Sequence, residues 1–191
     1  MVFTLAACRS GDSGESSSAD VDSAPAEEYT VDKEATTLTI SDGNTQVVYE
    51  ASDLEEMGTI ELTYSGRNKS VQNARFFETY TGVEINTLLE KSGFETEGAN
   101  IKIMCSDNYT REYSVEDDLY GKYSYEDNES DDRQEVVPMI AIVDSEDDAE
   151  YPSPFRLVYG QADWDTYTND AQDYNVQRWG SYVQYIEVSY E

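Results

Sequence analysis

The chain has 191 residues, with 41 Asp plus Glu against 12 Lys plus Arg, a formal charge of −29 and no histidine. So acidic a chain is repelled by phosphate backbones and anionic head groups, which excludes a general nucleic-acid binder and a polybasic membrane dock. The missing imidazole excludes Ser-His-Asp and Cys-His nucleophile pairs and every His-ligated zinc site. With 38% hydrophobic and 12% aromatic residues the chain can still bury a core, so one folded domain with a polar tail is expected. The acid excess by itself needs no ligand, because solubility accounts for it.

In chain order, Leu5-Ala6-Ala7-Cys8 comes first. It resembles a bacterial lipobox, in which small residues precede a cysteine that is lipidated and becomes the mature N-terminus. The resemblance implies lipid on Cys8 and a protein held outside the cell membrane by that anchor. The apolar stretch before Cys8 is shorter than an export signal and lacks its basic start, so a true start further upstream is expected. Residues 9–28 are rich in Ser, Asp, Glu, Gly and Ala and read as an acidic, disordered tether. If Cys8 is lipidated, Cys105 is a lone thiol; a Cys8–Cys105 disulfide is the competing arrangement. No run of apolar residues is long enough for a membrane helix. The domain organisation is therefore 1–8 lipobox, 9–28 tether and 29–191 folded domain.

The folded part starts near Tyr29. Thr36 to Ile40 and Gln46 to Tyr49 are β-prone and flank Asp42-Gly43, a hairpin signal. Ser52 and Glu55 fit a capping box for a helix over 53–57, stopped by Gly58. Thr59 to Tyr64 alternates as a strand, with Ile60, Leu62 and Tyr64 on one face. Ser65 to Gln72 is polar, with Arg67, Lys69 and then Arg75 forming the one cationic patch. Glu84 to Ser92 is the clearest helix, burying Ile85, Leu88 and Leu89 and ending at Gly93. Ile101 to Met104 is a strand, and Ser114 caps a short helix over 115–119.

Residues 126–135 form an acidic loop. Val136 to Val143 is continuously apolar and is expected to be a central strand. A second acidic turn over 144–150 precedes a strand over 155–159. A polar loop carrying Trp164, Tyr167 and Tyr174 leads to Trp179. The last strand, 183–188, is expected to set Val183, Tyr185 and Glu187 on one face and Gln184, Ile186 and Val188 on the other. Short helices among many strands predict an α+β, sheet-dominated domain. The acidic loops match calcium ligation poorly: the glycine of an EF-hand loop is replaced by Asp132 and its final glutamate is absent.

Four stretches resemble the molybdopterin-binding domain of the sulfite oxidase family. They are Thr81-Gly82-Val83-Glu84-Ile85 with Leu88-Leu89-Glu90-Lys91-Ser92-Gly93; Ser106-Asp107-Asn108-Tyr109 with Tyr113-Ser114-Val115-Glu116-Asp117; Val137-Pro138-Met139-Ile140-Ala141 with Pro154-Phe155-Arg156-Leu157-Val158; and the closing segment from Trp179 to Val188. In order they span about residues 45–188. The resemblance implies that family's fold and a molybdopterin cofactor. Its active members ligate molybdenum through a cysteine in a Cys-x-Gly-Asn-Arg stretch. The matching residues here are Tyr64-Ser65-Gly66-Arg67-Asn68, so Tyr64 stands where the thiolate should be, and phenol is a poor substitute for a soft sulfur ligand.

Arg67, Asn68 and Lys69, in a turn with Gly66, are expected to offer guanidinium and backbone N–H groups to an oxyanion such as a pterin phosphate; solvent-facing loop charges are the plainer account. Arg156 either reaches the same pocket or pairs with a structural aspartate such as Asp107. Asp107 and Tyr109 either contact a heterocycle or cap their own turn. Cys105 is expected to be a buried, inert thiol. Tyr64, Ser65, Gly66, Arg67, Asn68, Asp107, Tyr109 and Arg156 are thus the candidate ligand-binding residues, with no catalytic or metal residue among them. The leading expectation is a lipid-anchored module that binds a pterin-like or other anionic small molecule, or a partner protein, without molybdenum catalysis. The alternative is a molybdenum-dependent oxidoreductase with an atypical ligand.

Overall fold

A computed structural model describes residues 29–68, 74–127, 133–143, 150–161 and 179–190, with the backbone alone described at 67–68, 74–76, 125–127 and 133–134. Cys8, the tether over 9–28, Lys69, the acidic stretches 128–132 and 144–149, and Trp164, Tyr167 and Tyr174 lie outside the described residues.

The described residues build two five-stranded sheets and a few short helices, a sheet-dominated α+β architecture. The first sheet runs β2 (Gln46–Tyr49), β1 (Leu38–Ser41), β12 (Val183–Tyr190), β5 (Ala99–Cys105), β6 (Thr110–Ser114). The second runs β11 (Gly180–Ser181), β10 (Phe155–Val158), β9 (Met139–Ile142), β4 (Ala74–Glu84), β3 (Ile60–Asn68). A short pair, β7 (Tyr125–Asp127) and β8 (Arg133–Glu135), stands apart. Every pairing is antiparallel except β1 with β12.

Local chemistry explains most of these elements. Asp42 Oδ1 accepts from the N–H groups of Asn44 and Thr45 at 2.8 and 2.7 Å, and Gly43 takes φ +87°, closing the β1–β2 hairpin. Helix α1 spans Ala51–Glu56, two residues earlier than the Ser52/Glu55 box predicts: Glu50 is the cap and Asp53 reaches back to its N–H at 2.7 Å. Helix α2 spans Ile85–Lys91 and buries Ile85, Leu88 and Leu89 as its spacing predicts. Gly93, at φ +85°, lets Phe94 N–H fold back onto Leu89 O at 2.9 Å. Ser114 caps the next turn by accepting from Asp117 N–H at 3.1 Å, but the turn continues as a π-helix over Val115–Lys122. β9 lies third of five, hence centrally, though it is shorter than the 136–143 run because Pro138 lacks a ladder donor.

Two strands depart from expectation. β3 does not end at Tyr64; it continues to Asn68 against β4, a strand that the sequence reading left unassigned. In β12 the register slips between Val183 and Tyr185, a β-bulge at Gln184. Val183 therefore joins Ile186 and Val188 on the core side, opposite Cys105, Ile103 and Ile101, and strict alternation fails.

Two glycines mark close approaches. A Cβ on Gly180 would stand 2.3 Å from Ile103 Cδ1, where the second sheet lies against β5 of the first. A Cβ on Gly82 would stand 2.2 Å from Ile140 O, so β4 and β9 pair only if position 82 is bare. Gly82→Ala should lower stability by about 2–4 kcal/mol in urea denaturation, against under about 0.5 kcal/mol for the exposed neighbour Thr81→Ala. Equal losses would mean that β4 can shift to admit the methyl.

Candidate functional site

Tyr64 lies mid-strand on β3, opposite Glu78, and is fully buried. Its hydroxyl donates to Val137 O at 2.5 Å, just before the Pro138 break. Its ring meets Tyr80 (centroids 6.1 Å apart) and stands edge-on to Trp179 (6.4 Å). Trp179 in turn touches Tyr80 at 5.8 Å and Tyr159 at 6.5 Å, and its indole N–H donates to Tyr159 O at 3.0 Å. Tyr159 carries the contacts on to Tyr123 (4.7 Å) and Tyr113 (5.7 Å). The space around Tyr64 is thus filled by rings at tilted or edge-on angles, and none of these pairs is a face-to-face sandwich.

The following residues do not form the predicted turn. Ser65 is buried, and its carbonyl accepts from Gln161 Nε2 at 2.8 Å. Gly66, Arg67 and Asn68 pair with Phe76, Arg75 and Ala74, because the run Phe76 to Thr81, rich in aromatic and β-branched residues, offers them a partner strand. The register sets Arg67 opposite Arg75; the side chains of Arg67 and Asn68 lie outside the described residues.

Arg156 sits on β10 between Ala141 and Ser181. Its Nη1 donates to Tyr80 Oη at 3.1 Å, with the guanidinium 5.8 Å from the Tyr80 ring centre. Tyr80 passes its own proton donation to Glu78 Oε2 at 2.6 Å. The Nε of Arg156 is buried without a hydrogen-bond partner among the described residues. Arg156 therefore does not pair with Asp107. Asp107 Oδ1 accepts from Tyr109 N–H at 2.9 Å, and Asn108 takes φ +65°, so Asp107 caps its own turn between β5 and β6. Tyr109 belongs to this turn, on the other sheet from Arg156. Cys105 is a buried free thiol, and burial first, then the Asp107 charge, pushes its pKa well up.

The structure thus joins Tyr64 and Arg156 through Tyr80, and leaves Asp107 and Tyr109 in a separate turn. Tyr80, Glu78, Trp179 and Gln161 are the members that sequence reasoning missed. Among the described residues no group of three or more Cys, Asp and Glu could hold a metal, and no helix is long and apolar enough to cross a membrane. A separate shallow depression of about 450 Å³ lies on the outer face of β12, β5 and β6, lined by Asn100, Lys102, Glu112, Ser114 and Glu187. Comparison with protein-family models finds no match, and neither does comparison with curated proteins.

Tyr64→Phe should cost about 1–2 kcal/mol, because Val137 O loses its donor in a buried place, without changing the fold by circular dichroism. A neutral result would mean that the hydroxyl is not needed there. Burial, then hydrogen bonding to Glu78, pushes the Tyr80 pKa up to about 12, with the Arg156 charge opposing. Burial likewise raises Tyr113, Tyr120 and Tyr159 above the ordinary tyrosine range. A raised folded-state pKa means that unfolded phenols ionise first, so their stabilisation is complete below about pH 10 and declines as pH climbs from 10 towards 12. Denaturation midpoints should fall across that window; a flat profile would contradict the buried phenols.

Proposed function

We propose that this chain is a non-catalytic binding module on a sulfite-oxidase-like scaffold, tethered outside the membrane through lipid on Cys8. The observation that carries the reading is Tyr64: the residue aligned with the metal-ligating cysteine is a phenol turned inward, with its hydroxyl engaged by Val137 O. These residues do not fit a molybdenum centre. The one described thiol, Cys105, is buried on β5 of the other sheet and offers no substitute ligand.

The ligand is an anionic small molecule recognised by Arg156. Its guanidinium is held by Tyr80 Oη on one side and has an unsatisfied, buried Nε on the other. A carboxylate or phosphate oxygen supplies the missing acceptor, and a charge-assisted bond there is stronger than a neutral one. Arg67 and Arg75, opposed on the β3–β4 ribbon, add positive charge to an otherwise acidic chain. A pterin-like anion is the species that the sequence resemblance favours.

Titration of the full chain with inorganic phosphate and with a pterin carboxylate tests this. Arg156→Gln should weaken binding roughly 10- to 100-fold, the loss of one charge-assisted bond, while Arg133→Gln changes little. Equal effects of the two substitutions would remove Arg156 from the site. Arg67→Ala exceeding Arg133→Ala would bring the ribbon into it; parity would leave it out.

A further inference from the structure

The bulge at Gln184 bears on residues 29–32. Gln184 is fully buried, although polar, and its amide is satisfied by the backbone of Asp32 and by two hydroxyls. Its Oε1 accepts from Asp32 N–H at 3.1 Å and from the Tyr29 hydroxyl at 3.4 Å; its Nε2 donates to Asp32 O and, at 2.7 Å, to Ser106 Oγ. Both backbone groups of one residue are thus read by one side-chain amide, as a neighbouring strand would read them. Beside it, Tyr29 lies flat on Tyr185, with centroids 4.1 Å apart and ring planes 19° apart. Beyond these contacts Lys33 Nζ stands 5.9 Å from the Tyr151 ring centre; Thr30, Asp32, Lys33 and Glu34 are exposed, and residues 29–37 form no strand.

We propose that Gln184 and Tyr185 form a peptide dock and that residues 29–32 are its exchangeable occupant. The ligand class is an extended peptide with an aromatic residue three positions before the amide that Gln184 reads. Three features point this way. Bulges re-aim side chains, and this one frees Gln184 from the alternating ladder so that it faces the segment. Without the segment Gln184 keeps Ser106 Oγ but loses both Asp32 groups, so an occupant that offers a backbone N–H and C=O is favoured. The occupant contributes one tyrosine and the N–H and C=O of Asp32, few enough contacts to leave and return while the sheets stay folded.

Hydrogen exchange on the full chain tests the proposal. The amides of residues 30–34 should exchange by local opening, faster than those of β5 and β12. Tyr29→Ala, which removes the stack and the long hydroxyl contact to Gln184 but leaves both Asp32 hydrogen bonds, should speed them a further three- to tenfold, the worth of one aromatic pair, with β5 unchanged. A synthetic peptide of residues 29–36 should bind the Tyr29→Ala protein and not the Tyr29→Ala/Gln184→Met protein, in which the near-isosteric methionine keeps volume but removes the hydrogen bonds. Circular dichroism checks that both variants fold. If the double variant does not, the single variant alone decides, through peptide binding and the exchange rates. Strap amides that exchange only with β12, or a peptide that fails to bind the Tyr29→Ala protein, would overturn the dock.

Discussion

The contact on which the second sheet depends is the stack of Tyr64, Tyr80, Trp179 and Tyr159. Each ring belongs to or directly borders a strand of that sheet: Tyr64 on β3, Tyr80 on β4, Tyr159 just after β10 and Trp179 just before β11. Their contacts tie the edge strand to the opposite edge, across a sheet whose backbone ladder links only neighbours. Two hydrogen bonds fix the stack to the backbone, Tyr64 Oη to Val137 O and Trp179 Nε1 to Tyr159 O. Phenol and indole suit such a place because each buries a large ring and needs only one polar partner. A cysteine at position 64 would leave both the ring contacts and the Val137 acceptor unfilled. Tyr64 is therefore a structural part of this core.

The second constraint is the handover between sheets at residues 180–184. Gly180 closes β11 against β5 where no side chain fits, and Tyr182 then turns the chain at φ +60°, a conformation costly for an aromatic residue. The turn is held because Tyr182 O accepts from both the N–H and the hydroxyl of Ser106, at 3.0 and 3.3 Å, and the ring leans on Tyr151. Ser106 also bonds Gln184, so one buried serine links the turn, the bulge and the docked segment at residues 29–32.

Much of this was legible in the sequence where the signal is local. Asp42-Gly43, Gly58, Gly93 and Ser114 announce backbone geometry through their own side chains or lack of one, and the structure places turns or caps at each. The helix over 85–91 followed from its apolar spacing. The extension of β3 was not legible, because Ser65 to Asn68 has the composition of a turn and becomes strand only through pairing with β4. The β12 faces were misjudged at Val183 because a bulge is a property of register, set by β5, and leaves no mark in a single strand. At the candidate site, Tyr64 and Arg156 were identifiable from motif position. Their meeting through Tyr80 required the order of β3, β4, β9 and β10, which no local pattern carries.

Together these features describe a sheet in which Tyr64 is packed core and the Nε of Arg156 is buried with no acceptor among the described residues. Its central claim, that the module works without a metal centre, is tested most directly by the molybdenum content of the full chain purified from a host that makes the pterin cofactor. The account predicts no molybdenum above the level of an unrelated control protein. One metal per chain, retained through purification, would contradict it.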